Sequence, residues 1–91
     1  MANHPSALKR HRQSVKRHAR NQIVKTRVRN LVRAFREALR RGDPTAARAE
    51  FLRAARALDK AVVKGVFHRN NASRRIARLA KAVDRLEASA R

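Results

Sequence analysis

Twenty-five Lys and Arg stand against six Asp and Glu in 91 residues, a formal net charge of +19 with the four histidines neutral. The side chains whose spacing could do chemistry are therefore the cations. A guanidinium grips two oxygens of a phosphate at once, and an ammonium attracts it as a point charge. Eleven of them, Lys9, Arg10, Arg12, Lys16, Arg17, Arg20, Lys25, Arg27, Arg29, Arg33 and Arg36, fall in residues 1–36, which hold no acid. A solvated helical face ordinarily alternates its signs to limit self-repulsion. This stretch does not alternate, so the expected partner is a polyanion, with nucleic acid first among them.

Other chemistries find little to work with. The carboxylates Glu37, Glu50, Asp59, Asp84 and Glu87 sit at helical spacings beside Arg or Lys, as intrahelical ion pairs do, so no general acid or base is expected. The absence of Cys excludes a thiol nucleophile, a disulfide framework and a cysteine zinc site. His4, His11 and His18 recur every seven residues, but that step is about 10 Å along a helix and too far for one metal ion. The chain reads as a non-enzyme without metal or cofactor. Its longest apolar runs, such as Ala61-Val62-Val63, are too short for a bilayer span or a secretory leader, and no membrane partner is expected. Phe35, Phe51 and Phe67 read as core residues, which leaves no aromatic platform for unpaired bases. Phosphate contacts to a structured RNA remain, because its deep major groove resists base reading.

The elements that must hold these cations follow from four punctuating residues, Pro5, Gly42, Pro44 and Gly65. Ser6 to Arg41 contains no helix breaker and reads as one helix about 54 Å long. Gly42 suits the left-handed position after a helix, Asp43 a cap and Pro44 a first turn. A second helix runs from about Pro44 to Lys64 and stops at Gly65; Asn70 or Asn71 is expected to cap a third. Apolar residues recur at steps of three or four in each segment: Val24, Val28, Leu31, Phe35 and Leu39, then Ala47, Phe51, Ala55, Leu58 and Val62, then Ala72, Ile76, Leu79, Val83 and Leu86. The fold class is all-α, a three-helix bundle with a long N-terminal helix overhanging the bundle. Residues 1–91 form one domain, with a basic arm over 1–23 and the bundle over 24–91. In the arm the stripe turns polar at Arg10, Gln13, Arg17, Arg20 and Asn21, while Leu8 and Val15 lie on another side. Nothing offsets the ordering entropy there, so the arm is expected to be partly disordered in the free protein.

Several segments are familiar. Met1-Ala2-Asn3, Ser6-Ala7, Lys9-Arg10, Arg20-Asn21 and Val24-Lys25-Thr26 lead into Phe35-Arg36-Glu37-Ala38-Leu39 and Gly42-Asp43. Leu58-Asp59-Lys60-Ala61, Lys64-Gly65-Val66, His68-Arg69-Asn70, Ala72, Arg74 and Arg78-Leu79-Ala80-Lys81 follow. Together they resemble the bacterial small-subunit ribosomal protein twenty family along nearly the whole chain. The resemblance implies a structural protein of the cytoplasmic ribosome, a monomer among other ribosomal components, that binds small-subunit ribosomal RNA and holds distant RNA helices together during assembly. Carried to matching positions, it implies RNA contacts at Lys9, Arg10, Arg20, Asn21, Lys25, Lys64, His68, Arg69, Asn70, Arg74 and Arg78. The charge of the arm adds Arg12, Lys16 and Arg17, and Arg75 beside Arg74 joins the candidates. Basic residues are common in the family at the positions of Leu8, Asn71 and Ile76, of which Ile76 reads here as core. The alternative is a nucleoid-type protein that coats DNA without sequence preference.

Overall fold

Two glycines end two helices in the same way. In the computed structural model, which describes residues 5–90, α1 spans Pro5–Arg41, α2 Pro44–Val63 and α3 Arg69–Ser89. Met1, Ala2, Asn3, His4 and Arg91 lie outside the described residues, and with them the His4 metal reading and the start of the family resemblance. Gly42 has φ 72° and Gly65 φ 76°, the left-handed region where a Cβ is strained. The Gly42 N–H donates to Leu39 O and the Asp43 N–H to Ala38 O; the Gly65 N–H donates to Val62 O and the Val66 N–H to Ala61 O. This paired arrangement satisfies carbonyls that the last helical turn would leave open. Asp43 accepts from the Ala46 N–H at 3.2 Å and Pro44 opens α2, as the sequence predicts.

The third helix starts differently from expectation. Its cap is His68, not Asn70 or Asn71: His68 is extended, and its Nδ1 accepts from the Asn70 N–H at 3.1 Å. An imidazole with a free ring nitrogen replaces the usual side-chain oxygen, so helix begins at Arg69 and both asparagines fall inside it.

No strand occurs among the described residues. α2 lies against both other helices, whereas α1 and α3 approach each other closely at few points. Alanine accounts for this asymmetry. Ala47, Ala54, Ala57 and Ala61 are buried on α2 together with Phe51 and Leu58, and their small side chains let the α1 backbone come near. Three of these four alanines, Ala54, Ala57 and Ala61, lie outside the apolar stripe read from the sequence. Val28, Leu58 and Ala72 lie in one core cluster and Phe35, Phe51 and Val83 in a second, with Ile76 and Leu79 packed against both. The Phe35 and Phe51 rings meet at 6.3 Å, tilted by 55°. Ile76 is thus a core residue, as read from its position in the stripe.

Two carboxylates work between helices and not within one, contrary to the intrahelical reading. Arg48 on α2 donates from Nε to Glu87 at 2.8 Å and from Nη2 to Glu87 at 2.9 Å and Asp84 at 3.2 Å, both on α3. Its guanidinium also lies 5.7 Å from the Phe51 ring centroid. The turn at Gly65 folds α3 back along α2, so residues almost forty positions apart become neighbours. Glu50 and Arg53 do pair within α2, at 3.5 Å.

Helix α1 outruns the bundle. The molecule measures 66 × 22 × 16 Å with a radius of gyration of 17.9 Å, against about 12 Å for a compact chain of this length. Residues 5–20 continue the same helix, and all are exposed except half-buried Ala7. The helix there rests on propensity and its own backbone hydrogen bonds, which alone are marginal in water. Amide hydrogens over residues 9–19 should accordingly exchange much faster than those over residues 28–38, and equal protection would show that the arm is held by other contacts. In the core, Leu58→Ala should cost about 2–5 kcal/mol in denaturant unfolding, since Leu58 is fully buried.

Candidate nucleic-acid interface

The exposed arm carries Lys9, Arg10, Arg12, Lys16 and Arg17, none of which meets an acid among the described residues. At 100° per residue these side chains spread over about 160° of the helix surface. A rod charged this broadly can lie along a phosphate groove without a unique rotation.

Contact with the bundle starts at Arg20. Its Nη2 donates to the Lys64 carbonyl at 3.2 Å, placing a cation on the C-terminal end of α2, where carbonyls point outward. Asn21 is half-buried, and its Oδ1 is shielded from solvent and accepts from nothing among the described residues. The unpartnered part of the arm therefore ends a few residues before position 23, and Arg20 and Asn21 form the joint between arm and bundle.

Because α1 and α3 stay apart, an open groove runs between them. Lys25, Arg29, Arg33, Arg36 and Arg40 line one side, Arg75 the other, and Val28, Val32 and Phe67 contribute its apolar surface. It continues over Arg36, Asn71, Arg74, Arg75 and Arg78. The α1 residues share an arc of about 80° through their spacing of three and four. Glu37 is the one acid along this lining.

A second cationic face lies on the α2 side of α1. Arg27, Arg53, Arg56 and Lys60 surround a shallow depression beside Leu31 and Ala57. Ile23, 71% exposed, leads into it beside Lys60 and Lys64. The core stripe of α1 lies between the two faces.

The predicted site residues are thus divided. Lys25, Arg74, Arg75 and Arg78 come together at the α1–α3 groove, and Lys64 sits on the opposite face beside Arg20. Arg69 and Asn70 are exposed at the start of α3, and exposed His68 spends Nδ1 on its cap. Sequence reasoning counted Arg27, Arg29, Arg33 and Arg36 as charge but did not place them in the site, and it passed over Arg40, Arg53, Arg56 and Lys60 as site residues. The signal was present in two rows, 25-29-33-36-40 and 53-56-60-64, each on one helical arc. His11 and His18 are exposed on the same side of α1 as Lys25, and no cluster of metal-ligating residues occurs among the described residues.

Charge balance marks where protein contacts protein. Around Arg48 the hydrogen bonds donated to Glu87 raise the guanidinium pKa above its ordinary value; desolvation opposes this, and Asp84 reinforces it. On the two outward faces cations outnumber acids: Arg53 pairs with Glu50 at 3.5 Å, and no comparable network forms among the described residues. Among the described residues no helix is long and apolar enough to cross a membrane.

Comparison with known proteins places the same residues in a lineage. Residues 2–84 match the family described as Ribosomal protein S20. The chain is 55% identical over 87 residues to the small ribosomal subunit protein bS20 of Oleidesulfovibrio alaskensis, covering 96% of this chain and 100% of that protein. It is also 55% identical over 89 residues to the protein of that name from an Anaeromyxobacter species, strain Fw109-5, covering 98% and 99%. In a second Anaeromyxobacter strain, K, the identity is 48% over 91 residues and all of both chains. With a family match over most of its residues and relatives aligned from end to end, the chain belongs to the Ribosomal protein S20 family.

Proposed function

We propose that this protein, as a component of the small ribosomal subunit, binds its ribosomal RNA directly through phosphate and shape contacts and holds RNA segments together as the particle assembles. One observation carries this reading: an exposed, acid-free cationic arm continues into a bundle whose two outward faces are also cationic. Folding alone gives no reason to keep such charges together, since they repel one another and cover no core. A partner that binds the folded chain supplies the missing counter-charge and stabilises it by mass action.

Lys9, Arg10, Arg12, Lys16 and Arg17 reach for phosphates beyond the bundle. Lys25, Arg74, Arg75 and Arg78, with Arg29, Arg33, Arg36 and Arg40, take one stretch of backbone in the α1–α3 groove. Lys64, with Arg27, Arg53, Arg56 and Lys60, takes another on the opposite face. Two separated faces on one rigid bundle suit a clamp better than a coat. Arg20 and Asn21 set the angle of the arm, and His68, Arg69 and Asn70 complete the turn at its edge. The protein acts as a single copy among other ribosomal components, in the cytoplasm, with no membrane partner or cofactor and no catalysis. The names of the relatives, small ribosomal subunit proteins, support this setting.

Binding to naked small-subunit ribosomal RNA should weaken steeply with salt, because each neutralised phosphate releases counterion. Arg10→Ala with Arg17→Ala should lower the salt slope by about 2, about 1 for each lost phosphate contact, and leave the melting temperature unchanged. A large fall in melting temperature would show that these arginines pack on protein. Competition separates the clamp from a DNA coat: random duplex DNA should displace the ribosomal RNA poorly, and equal displacement would favour the nucleoid-type alternative.

A further inference from the structure

Two arginines in this chain lie against phenylalanine rings, and they differ in what holds them. Arg48 lies 5.7 Å from the Phe51 centroid, with Nε and Nη2 bound to the carboxylates of Glu87 and Asp84. Its charge is consumed inside the protein. Arg75 lies 5.0 Å from the Phe67 centroid, and its Nε donates at 2.8 Å to the amide oxygen of Asn71, one helical turn earlier. An amide carries no charge, so Arg75 is oriented without being neutralised. Among the described residues nothing accepts from its Nη1 or Nη2.

We infer that Arg75 is a preformed receptor for one backbone phosphate at the mouth of the α1–α3 groove, with Asn71 and Phe67 as its positioning residues. This rests on the proposed binding of RNA and deepens it by naming what holds Arg75 ready. The ring fixes the plane of the guanidinium and the Asn71 bond fixes its rotation, leaving the Nη edge as a ready fork for two phosphate oxygens. Lys25 and Arg29 line the same groove from the α1 side, so a phosphate there sits among cations from two helices. Phe67 also packs against the core, which ties the fork to the rigid part of the bundle. Asn71 thus contributes to binding with no phosphate contact of its own. Preorganisation of this kind lowers the ordering cost of each hydrogen bond made on binding.

Asn71 is exposed and does not cap α3, so its variants are expected to leave the fold intact. The test titrates the full-length chain with naked small-subunit ribosomal RNA at several salt concentrations and follows thermal melting in parallel. Arg75→Ala should weaken binding about tenfold, and Arg75→Lys should recover little of that loss because an ammonium offers no fork. Asn71→Ala should weaken binding in the wild-type background and add nothing beside Arg75→Ala, with melting unchanged throughout. Asn71→Asp should bind more weakly than Asn71→Ala, since a carboxylate holds the guanidinium but cancels its charge. Wild-type affinity in Asn71→Ala, additive losses in the double variant or full rescue by Arg75→Lys would overturn the fork while leaving RNA binding in place. Salt-independent binding by the wild-type chain would overturn the functional reading itself, and the fork with it.

Discussion

Like-charge repulsion is the constraint around which this molecule is arranged. A net charge of +19 on 91 residues resists any fold that gathers the cations together. The chain meets it by spreading them along a 66 Å length and by setting three of its six acids where helices meet or turn. Asp84 and Glu87 fasten α3 to Arg48 on α2, and Asp43 caps α2. Residues 1–36 have no acid to spare for such work. The same elongated arrangement therefore leaves a surface of exposed cations with few acids among them.

The core reflects the same constraint. With few large apolar residues, α2 offers a row of buried alanines, so α1 lies close to it and backbone packing takes the place of bulky side chains. That close packing is one-sided. It draws α1 toward α2, leaves α3 at a distance from α1, and opens the groove where Lys25 and Arg75 face each other. The groove is a consequence of which residues are small, and it brings cations of two helices to one lining. Cooperation between core and surface also appears at Phe67, which is at once a wall of the core and a support for Arg75.

Local chemistry explains why the boundaries of the helices are so well defined. Gly42 and Gly65 place two equivalent turns, and each turn reverses the chain within a few residues. The short turns leave α2 and α3 each about half the length of α1, and the overhang follows from that difference in length. Arg20, seated on the Lys64 carbonyl just past the end of α2, marks the point where α1 passes from supported to unsupported helix.

The sequence by itself determined the three helices, their stops at Gly42 and Gly65, the cap at Asp43, the large members of the core and the acid-free arm. All of these depend on interactions within a few residues or on a period of 3.6, so one dimension carries them. Three features were decided by tertiary structure. His68 caps α3 because the chain leaving Gly65 enters the helix two or three residues earlier than a cap at Asn70 or Asn71 would allow. Asp84 and Glu87 pair with Arg48 because the turn brings α3 back onto α2, a neighbourhood that sequence spacing does not encode. The division of the cations into two faces, and the presence of Arg29, Arg33, Arg36 and Arg40 opposite Arg75, arise only when three helices take fixed positions around a core. Charge is a property of a residue, but an interface is a property of where packing leaves it.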